Sequence, residues 1–273
     1  MHIHRLPTLS DNYSWVIMQA DPTVSAQSQC YVVDPGEAAP ILAYCETHQL
    51  NIAGILITHH HYDHVDGVRT LKGQFPQAEV IGFKQGPFGE HITHPVSEGD
   101  ALNVLGERFD VLETPGHCDD HICFHHPQAL FSGDLLFAGG CGKIWDHDPE
   151  KMHRSLMKIK ALPGDCLVYC GHEYTYPNLM FAHIAEPDNQ AITERLERVR
   201  TLRRQAQCTV PSLLCEEKVT NPFLRYLDAP LSQTLQARSP ELAQAAPATY
   251  FARLRAWKDD LDATDELDKG LND

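Results

Sequence analysis

From residue 30 to residue 170, short apolar runs alternate with segments whose apolar residues recur at three- and four-residue spacing. Cys30-Tyr31-Val32-Val33-Asp34, stopped by Pro35-Gly36, predicts a strand and a turn. Residues 40–46 predict a short helix and 54–58 a buried strand, which makes a βαβ unit and a sheet with helices on its faces. Val68, Leu71 and Phe75 keep helical spacing, and 79–83 returns to strand. From 101 to 134 the pattern is mostly β, with strands predicted at 101–105, 109–112, 121–124 and 129–131. Asp148-Pro149 is an N-cap and N1 pair for a helix carrying Met152, Leu156 and Ile159. One more strand is predicted at 166–170.

Beyond Tyr174 the character changes, and no strand is predicted. Ile192, Leu196, Val199 and Leu202 recur at helical spacing with Arg and Glu between them, and a second helix is predicted over 247–261. The last fifteen residues carry seven acids against one Lys, which predicts a frayed, solvated tail.

Composition sharpens this division. All seventeen His lie at or before His183, so two structural parts are expected, 1–173 and 174–273, with any metal chemistry in the first. A net charge of −15 argues against nucleic acid or an anionic membrane as partner. It leaves room for a local basic cluster that binds a small anion. The nine cysteines are scattered and form no C-x-x-C pair, no apolar run is long enough to span a bilayer, and the N-terminus lacks an apolar signal region. Reduced thiols in a cytoplasmic protein are therefore expected, and a monomer.

The strongest chemical feature is Thr58-His59-His60-His61-Tyr62-Asp63-His64, directly after a predicted buried strand. Its imidazoles and carboxylate suit Zn, Fe or Mn. His59 and His61, two apart in an extended segment, point the same way, while Asp63 and His64 lie past a bend. A chance polar loop is the mundane alternative, but exposed loops rarely concentrate histidine so densely. His117, Asp134 and His172 share one placement, each following a strand and immediately preceded by Gly. A Gly there permits a tight bend that aims the next side chain into a cleft. Taken singly, each is equally readable as a turn or capping residue.

HxHxDH followed in order by His117, Asp134 and His172 resembles the signature of the metallo-β-lactamase superfamily. The resemblance implies an α/β fold, the αβ/βα sandwich over 1–173, with a C-terminal helical domain over 174–273 that binds substrate. It also implies two divalent metal ions, zinc first, with Fe or Mn as alternatives. His59, His61 and His117 would hold one ion and Asp63, His64 and His172 the other, with Asp134 bridging both. Asp63 and Asp134 count as catalytic because they hold a hydroxide that bridges the two metals. His60 is not a ligand in this scheme, and His121 supports a ligand.

Narrower matches resemble the glyoxalase II, or hydroxyacylglutathione hydrolase, family. They are Leu9-Ser10-Asp11-Asn12-Tyr13-Ser14-Trp15, residues 58–67, Thr114-Pro115-Gly116-His117, residues 138–143, Gly171-His172-Glu173-Tyr174-Thr175 with Asn178 and Phe181, Asn221-Pro222-Phe223-Leu224-Arg225, and Arg255-Ala256-Trp257-Lys258. The family implies hydrolysis of S-D-lactoylglutathione to D-lactate and glutathione, the second step of methylglyoxal detoxification. It also implies that Lys143, Tyr174, Arg255 and Lys258 bind glutathione. Arg255 and Lys258 are three apart, hence neighbours on one helical face, and Arg offers a planar fork to a carboxylate. The rivals are a lactonase, a persulfide dioxygenase or a non-catalytic metal-binding protein. The Arg255-x-x-Lys258 segment argues against the first two, and the presence of all seven ligands against the third.

Some positions depart from the family pattern. Trp145 stands where many relatives carry Tyr or Phe, and Asp146-His147-Asp148 replaces the usual Glu-Gly-Thr. Asp66 and Asp120 occupy positions that are commonly Gly, where the tolerance of Asp for left-handed backbone is expected to preserve the turns.

Overall fold

A computed structural model describes residues 1–19, 28–145, 148–264, 266–267 and 269. The chain forms two compact units, Met1–Glu113 with Asp119–Gly133, and Thr114–Cys118 with Asp134–Asp273. Residues 134–172 fall in one unit with the C-terminal helices.

In the first unit, strands β1 (His2–Thr8), β2 (Asn12–Met18), β3 (Ser28–Val33), β4 (Leu50–Leu56), β5 (Glu79–Phe83) and β6 (His94–Val96) make one sheet in sequential order. The first three pair antiparallel, and β3 to β6 pair parallel. Helix α1 (Ala38–His48) supplies the β3–β4 crossover, so the expected βαβ unit forms; the short α2 (Tyr62–Val65) and α3 (Val68–Gln74) bridge β4 to β5. One face of the sheet packs on these helices, with Val16, Val32, Ile52, Ile55 and Val80 against Ile41, Val68 and Leu71. Trp15, Ile17, Val33, Leu56 and Ile81, outside that cluster, are buried too. Burial on both faces is why these strands read as continuous apolar runs. Strands β7 (Ala101–Val104), β8 (Glu107–Glu113), β9 (Ile122–His126) and β10 (Ala129–Gly133) then form an antiparallel meander close to the predicted limits.

The second unit opens with the two-residue strands β11 (Leu136–Phe137) and β12 (Gly140–Cys141), paired with each other. Helix α4 (Pro149–Lys160) begins as predicted, with the Asp148 carboxylate accepting from the backbone N–H groups of Glu150 and Lys151 and Pro149 in the first turn. Strand β13 (Leu167–Cys170) precedes α5 (Thr175–Ala185) and α6 (Gln190–Arg204). A strand that the sequence does not predict, β14 (Ser212–Leu213), pairs with β13. Helices α7 (Leu214–Thr220), α8 (Pro222–Arg225), α9 (Ala229–Arg238) and α10 (Pro247–Asp262) complete the unit.

Of the end of the chain expected to fray, residues 265, 268 and 270–273 lie outside the described residues. Helix α10 continues through Asp262, Leu267 is buried, and the Lys269 carbonyl accepts from the Tyr176 hydroxyl at 2.8 Å. Among the described residues, no helix is long and apolar enough to cross a membrane, and all nine cysteines are free thiols.

Candidate functional site

Strand β4 runs out at Leu56, and Thr58 and His59 follow it, buried. Asp34, at the end of β3, organises this loop. Its carboxylate accepts from the Thr58 N–H at 2.8 Å, the Thr58 hydroxyl at 2.6 Å and His64 Nδ1 at 3.1 Å. The Thr58 hydroxyl, its proton committed to Asp34, accepts from His59 Nδ1 at 3.0 Å. In the neutral form of each imidazole the proton therefore belongs on Nδ1, and Nε2 is the nitrogen with the lone pair. His59 Nε2 lies 3.1 Å from His61 Nδ1, and His64 Nε2 lies 3.5 Å from the Asp63 carboxylate. Asn12, from β2, donates to that carboxylate at 2.9 Å and fixes it from behind. Thus His59, His61, Asp63 and His64 come together in the first unit. Fixing a tautomer through Nδ1 is how proteins prepare an imidazole for a metal ion.

His60 turns the other way and meets Asp120 at 2.7 Å. Asp120 is not in the left-handed region, and Asp66 sits at φ −61°. The left-handed backbone expected at these two positions is therefore not used, and Asp120 serves as a partner for His60. His121 is buried with its ring 5.2 Å from that of His59.

The second unit holds His117, Asp134 and His172, all buried. His117 Nδ1 donates to the Lys143 carbonyl at 2.8 Å, so that in the neutral ring the lone pair is on Nε2, 3.6 Å from Asp134 Oδ2. His172 Nε2 lies 3.3 Å from the same oxygen. The glycine signal works in part. Gly116 adopts φ 144° and a Cβ there would lie 2.4 Å from Met152 Cα, and Gly133 adopts φ 47°, whereas Gly171 has an ordinary φ.

The second unit also gathers Lys143, Tyr174, Arg255 and Lys258 around one cleft of about 410 Å³. Tyr174 stacks on His172 with ring centroids 4.7 Å apart. Lys143 reaches over the Trp145 ring at 4.8 Å, a cation–π contact where a phenol is absent; Asp146 and His147 lie outside the described residues. Arg255 donates to the Cys141 carbonyl at 3.1 Å. Burial pushes the Cys141 thiol up to about 11, against the pull of Arg255. Burial likewise pulls the Lys258 ammonium below its ordinary value, opposed by a hydrogen bond to Asp262.

A buried network that sequence reasoning missed holds the β11–β12 hairpin. Glu217 accepts from the Gly139 N–H at 2.8 Å and pairs with Arg195 at 2.5 Å, both side chains almost fully buried. Asn221 donates to the carbonyls of Phe137 at 3.2 Å and Gly140 at 2.9 Å. Asp34 was missed as well. Its one signal is an acid ending an apolar strand before Pro-Gly, the mirror of the Gly-Asp at 134.

These donors suit a divalent cation: in the neutral rings, imidazole lone pairs face carboxylate oxygens, an arrangement of acceptors that attracts positive charge. The superfamily model, described as "Metallo-beta-lactamase superfamily", matches residues 23–172. The chain belongs to that superfamily, with its mixed α/β fold and a C-terminal helical region. A second model, "Hydroxyacylglutathione hydrolase C-terminus", matches residues 173–261. A hydroxyacylglutathione hydrolase of Hydrogenovibrio crunogenus is 53% identical over 273 residues, covering 100% of each chain. One of Pseudomonas fluorescens is 44% identical over 263 residues, covering 95% of this chain and 99% of the relative. Within the superfamily, the chain therefore belongs to the hydroxyacylglutathione hydrolase family. The crystal structure of ETHE1 from Myxococcus xanthus shares the fold, with a TM-score of 0.63 and 22% identity over 93% of this chain and 100% of that one.

Proposed function

We propose that the chain hydrolyses S-D-lactoylglutathione to D-lactate and glutathione, the second step of methylglyoxal detoxification. The observation that carries this reading is the convergence of Lys143, Tyr174, Arg255 and Lys258 on one cleft, in a chain whose C-terminal part matches this family's own model. The acylated tripeptide has a carboxylate at each end and needs fixed cations. Arg255 and Lys258, on one face of α10, supply a planar fork and a point charge, with Lys143 as a third cation and Tyr174 as an aromatic wall.

In this reading His59, His61 and His117 would hold one divalent ion and Asp63, His64 and His172 a second, with Asp134 as a further ligand. Zinc is the metal proposed, and the same donors accept Fe or Mn. When bound, such ions would supply Lewis-acid chemistry for a thioester carbonyl and for water at neutral pH. Asp34 and Thr58 keep His59 and His64 in the tautomer that exposes Nε2, and Asn12 orients Asp63. The leaving thiolate, of ordinary pKa about 8.5, departs without a dedicated general acid. The free thiols fit a reducing cytoplasm.

The test is hydrolysis of S-D-lactoylglutathione, run beside metal analysis and beside a small thioester that lacks the tripeptide. A kcat/KM for the glutathione thioester at least about 100-fold higher is expected, the worth of two charged hydrogen bonds. Equal values on metal-loaded protein would overturn the reading.

A further inference from the structure

The two cations of α10 are not idle in this structure. Arg255 Nη2 pairs with the Asp259 carboxylate at 3.0 Å and with Asp262 Oδ2 at 3.1 Å, and Lys258 Nζ bonds Asp262 Oδ1. Asp262 thus offers one oxygen to each cation, the geometry of a carboxylate bridging a guanidinium and an ammonium. All four side chains line the same cleft. Their exposures separate them: the side chains of Arg255 and Lys258 are 6% exposed, and those of Asp259 and Asp262 are 40% and 42%. Arg255 is fixed from behind by the Cys141 carbonyl and by the Phe223 ring 5.1 Å away. The acids form the solvent-facing rim, where a short side chain can rotate away at small cost.

We propose that Asp262 is an internal stand-in for a substrate carboxylate, occupying the cation pair until a glutathione thioester displaces it, and so sets the affinity of the cleft. This rests on the reading of Arg255 and Lys258 as carboxylate-binding residues. The Asp262 carboxylate has the chemistry of the group that it excludes, so the exchange trades one bridged carboxylate for another and the two buried cations are never left bare. That matters because an uncompensated buried charge is far more costly than a paired one. The consequence is a cleft that holds substrate and product less tightly than three cations alone would. It also releases glutathione with Asp262 ready to take its place.

The experiment compares the metal-loaded wild type, Asp262→Asn, Asp262→Ala and the Arg255→Ala/Lys258→Ala double variant. It measures KM for a glutathione thioester, and calorimetric binding of free glutathione as a readout independent of turnover. Asp262→Asn keeps the shape but offers the cations no charge. It is expected to lower both KM and the glutathione dissociation constant about three- to tenfold, the range for charge pairs between half-exposed and buried groups. Asp262→Ala should move both in the same direction, and the gain should shrink in 1 M salt. The double variant should raise both constants. If it does so while both Asp262 variants leave the constants unchanged or raise them, Asp262 merely orders the cations and the proposal is overturned. If the double variant changes neither constant, the assignment of the cation pair to substrate fails, and the proposal with it.

Discussion

The imidazoles beside β4 and the cations of α10 are two ways of holding a charged site ready. His59 and His64 are buried, and their partners, Asp34 and Thr58, are equally buried and tied to the backbone at the ends of β3 and β4. Nothing there can rotate without breaking a hydrogen bond that water cannot replace. Arg255 and Lys258 are buried too, but their partners Asp259 and Asp262 stand at the rim, and water replaces each contact as it opens. The first arrangement fixes which atom of each ring faces outward. The second fixes where the positive charge sits and leaves open what neutralises it. A metal site gains from the former, because its ligands must hold one protonation state and one direction. A site that must bind and release an anion every turnover gains from the latter.

The strongest break in this contrast comes from removing a ligand. Asp134→Ala is expected to lose close to both metals and nearly all thioesterase activity, a fall of at least about a thousandfold, because metal activation supplies most of the rate. Metal analysis of the purified variant checks this, and full occupancy with wild-type rates would sink the role given to Asp134. The next largest effect lies in the Arg195–Glu217 pair under the β11–β12 hairpin. Glu217→Ala leaves a buried guanidinium short of its closest partner and strips the Gly139 N–H of its acceptor. A loss of about 3–5 kcal/mol is expected, seen as a fall of roughly 6–20 °C in Tm for a chain of this size. A shift under about 2 °C, below the range expected for even 1 kcal/mol, would mean that Glu216 and Thr220, the other partners of Arg195, carry the load.

How much of this could be read in the sequence depended on the range of each signal. The helices at 149–160, 190–204 and 247–262 were legible because caps and a 3.6-residue stripe are local. Strands β4, β5 and β7–β10 were legible as apolar runs bounded by turn residues. The β1–β2 hairpin was not, since His2, His4, Arg5 and Pro7 break the alternation in β1 and only the register with β2 reveals it. Helix α5 escaped because Tyr176, Asn178, Leu179, Phe181, Ala182 and Ala185 are all buried, leaving no polar face to define a stripe. Strands β11, β12 and β14 have two residues each, too few for any period. At the site, the HxHxDH cluster was legible because four imidazoles packed into one short loop behind a buried strand leave little room for a purely structural role. Asp34 and Glu217 were not, since an acid far away in sequence becomes a partner only when the chain folds. Asp262 was hidden in a different way: an acid-rich end reads as a solvated tail until Leu267 and Lys269 are seen docked.

A smaller effect sharpens the contrast at Asp34. Asp34→Asn keeps the size of the side chain, but the amide can turn its NH2 toward His64 Nδ1 and so favour the wrong tautomer. Metal affinity is expected to fall about 10- to 100-fold, the usual cost of losing a partner of a metal-bound imidazole. Because the groups are buried, the loss should be almost independent of salt, unlike the effects at Asp262. Chelator competition at low and high salt checks both points, and a strongly salt-dependent loss would erase the distinction between the two sites.

The smallest expected effect concerns an imidazole with neither kind of arrangement. His153, on α4, is half-buried and accepts a hydrogen bond at Nδ1 from the Tyr226 hydroxyl, a phenol where His64 has a carboxylate. Burial lowers its pKa from the ordinary 6.5, partly opposed by Glu150 and assisted by Arg154. The sign follows from proton counting. Between the folded-state pKa and 6.5 the unfolded chain binds more protons at this site than the folded chain, so stability rises with pH through that window and levels off above it. Below the window both states are protonated, and the full penalty for charging His153 applies. One site contributes at most about 1.4 kcal/mol per pH unit. His153→Gln can still accept from Tyr226 through its amide oxygen but cannot titrate. The difference in unfolding free energy between wild type and variant, measured from about pH 4.5 to 8 to bracket the window, should therefore increase in favour of the wild type as pH rises and become flat above 6.5. A difference that is constant with pH would mean that His153 titrates alike in the folded and unfolded chains, and that burial beside Tyr226 imposes no charge penalty.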